Sequence, residues 1–367
     1  MLKWCNKCVL SDGRPNIIIH EDGICNACKN HEKKNKINWT LGKKKLKIIF
    51  NKLKKKKSNY DCIIPVSGGK DSTWQTLVCL ENKLKPLAIT YKSPGRNSIG
   101  EANLKNLISL GVDHIDFTLN PKIEKYFILK SLKNKGSPAI PMHFLIYNLP
   151  KTFAKIYNIP LIVWGENPAK EYGFLNKKDL LLKEKYWWKK HGAVSGTELN
   201  FWKDNILNDK NLISIKSNEN DKVRSIFLSD FINWDPVKIK KYSEKKGFKY
   251  LNKAKTGIYN FADIDCDFIS IHHYLKWYKF GLTRVFDNLS LEIRNSRISK
   301  KKALVILRKS LMRLRPNKDI IKFCEYIGIS VKQFNRICEK FRNRKIWKKD
   351  KNIWKIDNFI FDDFNWK

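Results

Sequence analysis

The stretch DCIIPVSGGKDS, residues 61–72, carries the clearest structural signal in the chain. Residues 61–66 form a nearly continuous apolar run, which is typical of a strand buried in a parallel sheet. Residues 67–72 are a glycine-rich turn, and a helical pattern follows over Asp71–Asn82. Such a turn between a strand and a helix exposes backbone N–H groups beside the positive end of the helix dipole. The stretch therefore predicts a phosphate-binding loop.

Each residue type in the turn has a chemical reason to be there. The two glycines let the backbone approach phosphate oxygens without a Cβ clash, the serines carry hydroxyl donors, and the lysine adds a cation. The aspartate is expected to position a metal ion or its waters. The spacing is not that of the GxxxxGK[ST] loop. The predicted phosphate contacts are Ser67, Gly68, Gly69, Lys70, Asp71 and Ser72.

Strands and helices alternate after this loop. Apolar runs predict strands at residues 86–91, 114–119 and 161–164, and the pattern at residues 101–110 predicts a helix between the first two. This alternation favours an α/β fold with a doubly wound parallel sheet.

Ligands of such a fold bind at the carboxyl ends of the strands. Thr90 and Tyr91 end one predicted strand and are expected near the adenine or ribose of a nucleotide. Gly165, Glu166 and Asn167 follow another and are candidates for nucleotide, substrate or magnesium contacts. Ordinary turn residues at strand ends are the alternative interpretation.

Two cysteine pairs occupy the start of the chain, Cys5 with Cys8 and Cys25 with Cys28, separated by 16 residues. Four thiolates at this double CxxC spacing suit a tetrahedral zinc ion, and turn-rich segments lie between the pairs. We therefore predict an N-terminal zinc ribbon with a structural role. A redox dithiol explains one CxxC pair but not two.

The chain divides into three predicted modules: a zinc ribbon with its linker at residues 1–45, a nucleotide-binding domain at 46–235, and a mainly helical region at 236–367. Residues 170–224 are interpreted as an insertion beside the active site. The aromatic segment Phe359–Trp366 is expected either to pack on the core or to contact a partner.

The formal net charge is +39, which would suit a nucleic-acid ligand. However, lysine far exceeds arginine and accompanies asparagine and isoleucine along the chain, which indicates a codon bias. We find no apolar run of membrane-spanning length and no signal peptide, so we expect a soluble cytoplasmic protein.

The loop resembles that of the PP-loop ATP pyrophosphatases, which include asparagine, GMP and NAD synthetases and several tRNA-modifying enzymes. This resemblance implies an adenine nucleotide alpha-hydrolase-like fold and the use of ATP with Mg²⁺. It also implies cleavage of ATP between its α- and β-phosphates.

The whole chain resembles the N-acetyl sugar amidotransferases, bacterial enzymes of lipopolysaccharide and nonulosonic acid biosynthesis. Beyond the ribbon and the loop, the matching stretches are residues 165–167, 256–266, 270–274, 276–281 and 292–294, with Arg284 and Asp287. The resemblance implies that an acetamido oxygen attacks ATP and that ammonia then converts the O-adenylyl group to an acetamidino group. The sugar is expected to be nucleotide-linked. The resemblance also implies a partner glutaminase resembling that of the histidine pathway and, in some systems, a cyclase-like subunit.

Four further side chains are assigned through this resemblance. His272 and His273 are candidate catalytic residues, with core or capping histidines as the alternative; adjacent helical residues point about 100° apart, so at most one easily faces the site. Arg284 and Arg294 are candidates to clamp phosphates of a sugar nucleotide, with a basic helical surface as the alternative.

Two rival functions remain open from the sequence. A PP-loop enzyme that modifies tRNA, by thiolation or a related base modification, would account for the basic charge and the ribbon, but the other five cysteines lack the pattern expected of a sulfur carrier. A non-enzymatic zinc-ribbon protein that binds nucleic acid would leave the phosphate loop unexplained. No glutaminase cysteine is recognisable.

Overall fold

The computed structural model describes residues 1–55, 58–173, 194–213, 215–216 and 223–366. Its centre is a five-stranded sheet in which every strand pair is parallel, in the order β3-β2-β1-β4-β5. The strands are β1 Cys62–Pro65, β2 Pro86–Tyr91, β3 Asp113–Phe117, β4 Leu161–Trp164 and β5 Arg224–Phe227. The predicted α/β doubly wound sheet is confirmed.

Thirteen helices are numbered among the described residues. They are α1 Asn26–Lys34, α2 Trp39–Lys54, α3 Lys70–Glu81, α4 Ser98–Ile108, α5 Pro121–Lys135, α6 Ile140–Ile156, α7 Pro168–Tyr172, α8 Pro236–Glu244, α9 Ile269–Phe280, α10 Arg284–Arg294, α11 Lys300–Leu311, α12 Asn317–Ile327 and α13 Val331–Lys340. Strands β6 Trp347–Asp350 and β7 Ile353–Ile356 form an antiparallel hairpin near the C-terminus.

Side chains alternate between the two faces of the sheet along each strand, and both faces are covered by packed residues. In β1, Cys62 and Ile64 pack with Phe50 in one core cluster, which also contains residues of α3 and α4. Ile63 packs on the opposite face with Phe127 and residues of α6. The strand order reverses at β1, so the crevice expected of a doubly wound sheet opens where the phosphate loop leaves this strand.

The first and last parts of the chain share a core. Val9 and Leu10 of the N-terminal module lie in one cluster with Phe286 of α10, and Phe359 and Phe361 pack in the same cluster. Of the two expectations for the aromatic C-terminal segment, packing on the core is therefore what the structure shows. The predicted module boundaries after residues 45 and 235 stay predictions.

The predicted insertion is described only in part, since residues 174–193, 214 and 217–222 lie outside the described residues. In its described part, Trp202 is fully buried with its ring centroid 5.4 Å from that of Phe127. Among the helices that the structure describes, none has both the length and the apolar character needed to cross a bilayer.

Candidate active site

The phosphate loop joins β1 to α3 with the geometry that its glycines allow. Gly68 has φ +85°, and a Cβ atom added there would lie 2.7 Å from the backbone nitrogen of Leu104, so both conformation and space require glycine. The Ser67 N–H donates to Ser72 Oγ at 3.0 Å. Helix α3 begins after Gly69 without a side-chain cap. Its first N–H groups therefore face the loop as donors for an anion.

Lys70 and Asp71 form an ion pair at the start of α3, and both contact Trp234. The Lys70 ammonium lies 5.6 Å from the Trp234 ring centroid and 5.9 Å from that of Phe261. The Trp234 indole N–H donates to Asp71 Oδ1 at 2.9 Å. Sequence reasoning missed Trp234, because it lies 163 residues from Asp71 in a segment without a motif.

A cavity of about 310 Å³ opens beside this loop at the carboxyl ends of β1, β2 and β4. Its polar side is formed by Ser67, Asp71, Ser72 and Glu166. Its remaining wall contains the apolar or aromatic residues Ile89, Tyr91, Ile146, Tyr147, Pro150, Trp164 and Phe227. A phosphate loop beside an apolar wall has the chemistry to take a nucleotide, with the phosphates on the loop and the base against the wall.

Gly165, Glu166 and Asn167 lie together at the end of β4, where the sequence places them. Gly165 and Glu166 line the cavity, and a Cβ atom on Gly165 would come within 3.2 Å of the Gln75 amide. Burial raises the pKa of Glu166 to about 7, and the negative charge of Asp71 contributes to the rise. The Asn167 N–H donates to Ser229 Oγ at 2.7 Å.

The structure separates the two residues predicted at the end of β2. Tyr91 lines the cavity, and its hydroxyl donates to Glu124. Thr90 is buried, with its hydroxyl 2.8 Å from His114 Nε2. Adjacent strand residues point to opposite faces, so only Tyr91 is directed to the nucleotide side. The predicted contact between Thr90 and ATP is not supported by this position.

The two histidines of α9 face different groups, as helical geometry requires. His273 Nε2 lies 3.3 Å from Asp263 Oδ2. His272 Nδ1 lies 3.5 Å from Ser137 Oγ, and its ring centroid is 6.0 Å from that of His143. Burial lowers the pKa of His273 to about 4 and that of His272 well below its usual range. Both imidazoles are therefore neutral at neutral pH.

The segment that contains Asp263 and Asp265 connects the C-terminal region with the phosphate loop. Asp263 accepts hydrogen bonds from Thr256 Oγ1 at 2.7 Å and from Arg284 Nε at 3.2 Å. Burial acts to raise the pKa of Asp263, but the charge of Arg284 and the hydrogen bonds from His273 and Thr256 outweigh it and hold the pKa well below its usual range.

Asp265 is the direct contact with the loop. Burial raises the pKa of Asp265, and the Ser67 hydroxyl of the loop acts on this pKa in the opposite direction. Neither Asp263 nor Asp265 was assigned a role from the sequence, although the run 263–266 carried part of the resemblance. The signal that could have identified them is the presence of two carboxylates within residues 263–266.

The two predicted phosphate-clamping arginines lie in different surroundings. Arg284 pairs with Asp263, and its charge acts on Glu166 at the cavity. Arg294 is buried at the other end of α10, and its Nε donates to the Ser290 carbonyl at 3.1 Å. Burial, with the charge of Arg294 as a further contribution, lowers the pKa of His31 to about 4. Arg294 therefore faces helix α1, a position that does not support a contact with a sugar nucleotide.

The four patterned cysteines converge, with their sulfur atoms all within 4.8 Å of one another and all four residues buried. Cys8 Sγ lies 3.7 Å from Cys25 Sγ. A tetrahedral site with Zn–S bonds of about 2.3 Å separates its sulfurs by about 3.8 Å. The N–H of Cys25 points to Cys5 Sγ at 3.2 Å, and that of Cys28 to Cys25 Sγ at 3.4 Å. The donor set and spacing fit a metal ion such as zinc.

Residues 238–360 match the model of the family described as "LPS biosynthesis protein WbpG-like, C-terminal domain". This range begins in α8 and covers about a third of the chain. The match supports the resemblance to the N-acetyl sugar amidotransferases. No curated protein sequence matches the chain.

Several solved structures are similar over about half of the chain. A predicted subunit of tRNA methyltransferase from Methanocaldococcus jannaschii has 16% identity and a TM-score of 0.28, covering 50% of this chain and 75% of that one. NH3-dependent NAD synthetase from Campylobacter jejuni has 18% identity and a TM-score of 0.31, covering 58% and 96%. NMN synthetase from Francisella tularensis has 12% identity and a TM-score of 0.26, covering 59% and 98%. These likenesses are too weak to carry an argument.

The loop geometry and the WbpG-like match together support a PP-loop enzyme that uses ATP. If Mg²⁺ accompanies ATP at the loop, the carboxylate of Asp71 is an oxygen ligand of the kind that this ion prefers.

Proposed function

We propose that this chain is an ATP-dependent amidotransferase that converts the acetamido group of a nucleotide-linked N-acetyl sugar to an acetamidino group. The observation that carries the proposal is the phosphate loop, with its Lys70–Asp71 pair, at the mouth of a cavity of about 310 Å³. The WbpG-like match over residues 238–360 supports the sugar as substrate class.

The chemistry uses ATP to turn a poor leaving group into a good one. The acetamido carbonyl oxygen attacks the α-phosphorus, and the bond to pyrophosphate breaks. Ammonia then adds to the carbon of the O-adenylyl imidate, and AMP leaves with the former carbonyl oxygen. Loop N–H groups and Lys70 would stabilise the charge on the leaving pyrophosphate, and bound Mg²⁺ would neutralise phosphate charge.

Glu166 is our candidate to receive the proton that ammonia loses as the C–N bond forms. Its pKa of about 7 suits a general base near neutral pH, and it lines the same cavity as the loop. The sugar would be contacted or oriented by Arg284, Asp263 and His273. These three side chains lie together, because Asp263 contacts both of the others.

Ammonia is proposed to come from a separate glutaminase subunit, with a cyclase-like subunit as a further partner. The proposal rests on the family resemblance and on the absence of a recognisable glutaminase motif in the sequence. It predicts that ammonium supports the reaction of the isolated chain, whereas glutamine does so only when the glutaminase is present.

The test is turnover with a UDP-linked N-acetyl sugar, MgATP and ammonium at mildly basic pH. Nucleotide chromatography is expected to show AMP and pyrophosphate, and mass spectrometry a sugar product about one mass unit lighter than the substrate. ADP as the nucleotide product would contradict the PP-loop chemistry, and glutamine use by the isolated chain would contradict the partner.

A tRNA-modifying PP-loop enzyme is the second candidate, favoured by the net charge of +39. Such an enzyme would adenylylate a base oxygen and, where the modification is a thiolation, would then deliver sulfur to the base. A salt-dependent complex with tRNA, together with ATP turnover that requires tRNA, would replace the sugar assignment.

A further inference from the structure

We propose that Lys34, the last residue of the cysteine-module helix α1, is a positioning residue for the phosphate loop. It acts through Trp234, which contacts both charged residues of the loop. The inference rests on the proposed use of ATP at this loop, but it does not depend on which acceptor is adenylylated.

Lys34 is a largely buried cation with two short contacts. Its Nζ donates to Glu171 Oε1 at 2.7 Å and to the Trp234 backbone carbonyl at 2.7 Å. Its side chain is 13% exposed and that of Glu171 only 6%. A buried ammonium is tolerated only where charge and hydrogen bonds compensate its lost hydration, so both partners are held near it.

Trp234 transmits this constraint to the loop. Its backbone carbonyl accepts from Lys34, while its indole N–H donates to Asp71 Oδ1 at 2.9 Å. The Lys70 ammonium lies 5.6 Å from the ring centroid of the same residue. The indole is rigid and buried, so a displacement of its backbone moves the ring away from both loop side chains.

The opposite end of α1 is fixed by the cysteine cluster. Cys25 is the N-cap of this helix, and Cys28 lies in its first turn. The nine residues of α1 span about 13 Å, so the helix is a short rigid link between the four sulfurs and Lys34. The cysteine module thus stabilises its own fold and also anchors the cation that holds Trp234.

Glu171 extends the contact to the helix that follows β4. It lies in α7, directly after the Gly165–Asn167 segment at the end of β4. One ammonium therefore joins α1 to two segments that flank the loop. Lys34 therefore acts on the phosphate loop, where the pyrophosphate is expected to bind, and not on the apolar wall of the cavity.

The experiment compares two ligands that differ in the pyrophosphate. Binding of α,β-methylene-ATP with Mg²⁺ and of AMP is measured by calorimetry for the intact chain and for Lys34→Met. Lys33→Met is the matched control, because Lys33 is exposed on the same helix. We expect Lys34→Met to weaken binding of α,β-methylene-ATP about five- to tenfold, the scale of one ordinary hydrogen bond, with AMP binding changed less than twofold.

Two further variants separate positioning from general destabilisation. Lys34→Arg is expected to restore most of the affinity, since it keeps the charge and the donors. Trp234→Phe removes the indole N–H, and the double variant Lys34→Met/Trp234→Phe should lose no more than the weaker-binding single variant. Additive losses would show that the two residues act independently, and would overturn the inference.

The remaining outcomes are also decisive. Equal weakening of AMP and α,β-methylene-ATP, or equal effects of Lys33→Met and Lys34→Met, would overturn the inference. If Lys34→Met does not fold, Glu171→Gln should weaken binding of α,β-methylene-ATP by a smaller factor, again with little change for AMP. Unchanged binding of α,β-methylene-ATP by Glu171→Gln would then overturn the inference. Binding of the analogue without amidination refutes only the proposed function, whereas no binding by the intact chain refutes both.

Discussion

The cysteine cluster and the phosphate-loop cavity are assembled in opposite ways. The cluster takes its four sulfurs from 24 consecutive residues, and all four cysteines are buried. The cavity and its surroundings combine Ser67 and Asp71 with Trp234 and Asp265, up to 198 residues apart. A local site depends on its own turns and its ligand, whereas a distributed site depends on how the whole chain packs.

This difference gives the two regions different sensitivities. Four close thiolates repel one another when they are ionised, so the cluster needs a cation to be stable. The cavity keeps its shape through hydrogen bonds and packing among the sheet, α8 and the C-terminal region, and its ligands come and go. We therefore expect metal removal to act mainly on stability and changes in the loop to act mainly on turnover.

The largest effect is expected when the metal is removed from the cysteine cluster. Structural zinc contributes an apparent 10–16 kcal/mol in zinc-finger peptides, so Cys25→Ser or a strong chelator should cost several kcal/mol here. Thermal unfolding with elemental analysis measures the effect, and Cys324→Ser, at a buried cysteine outside the cluster, is the matched control. Stability should fall more than ATP affinity of the folded fraction. Fresh protein without about one zinc per chain would contradict the prediction.

The next largest effect is expected at the loop. Lys70→Ala should lower turnover about 10²–10³-fold, the usual loss when a preorganised charge at the reacting phosphate is removed. The melting temperature should change little by comparison. Lys85→Ala, at an exposed residue just before β2, is the control and should keep full activity. A large stability loss with intact turnover in Lys70→Ala would place this lysine in the fold and not in the chemistry.

Local sequence signals predicted the local parts of the molecule. Strands at residues 86–91 and 161–164 are confirmed at those bounds, and the four cysteines converge, because each pattern is contained in a few neighbouring residues. Trp234 was not identified, because its contact with Asp71 arises only when distant segments pack. The strand end was placed correctly at residues 90 and 91. The sequence does not tell which of the two side chains faces the cavity, since a buried parallel strand is apolar on both faces.

The pH dependence of stability provides a test of a buried carboxyl behind the cavity that is separate from the cysteine cluster. Burial raises the pKa of Glu124, which accepts from Tyr91, from the ordinary 4.5 to about 7. Between these pH values the unfolded chain releases this proton while the folded chain keeps it. Stability should therefore fall as pH rises from about 4.5 to about 7, by on the order of 3 kcal/mol from this group.

Glu124→Gln removes this contribution, because glutamine stays neutral and still accepts from the tyrosine. From pH 5 to pH 8, the free energy of unfolding measured in denaturant should change less unfavourably in the variant than in the intact chain. Glu166, whose pKa is also about 7, contributes a slope of the same sign as Glu124 to both proteins. The buried His31 and His273, whose pKa values are about 4, contribute a slope of the opposite sign to both. Glu325→Gln, at an exposed residue, is the control. An unchanged slope in Glu124→Gln would mean that the carboxyl is ionised in the folded protein.

The smallest effect is expected at the exposed ion pair of the cysteine module. The side chains of Lys7 and Glu32 are 43% and 49% exposed, so water and salt screen their 2.6 Å contact. Lys7→Met should change the free energy of unfolding by less than about 0.5 kcal/mol. Arg14 of the same module pairs with Asp287 of α10, whose side chain is only 7% exposed.

Arg14→Met is therefore the informative contrast to Lys7→Met. It leaves a buried carboxylate with Arg284 at 4.0 Å as a weaker partner, and should cost about 2 kcal/mol. Equilibrium unfolding in denaturant measures both variants under the same conditions. Equal losses would mean that exposed charges stabilise the module as much as its junction with α10. The expected inequality would locate the stabilising charge of the cysteine module at that junction, where a local cluster joins a distributed site.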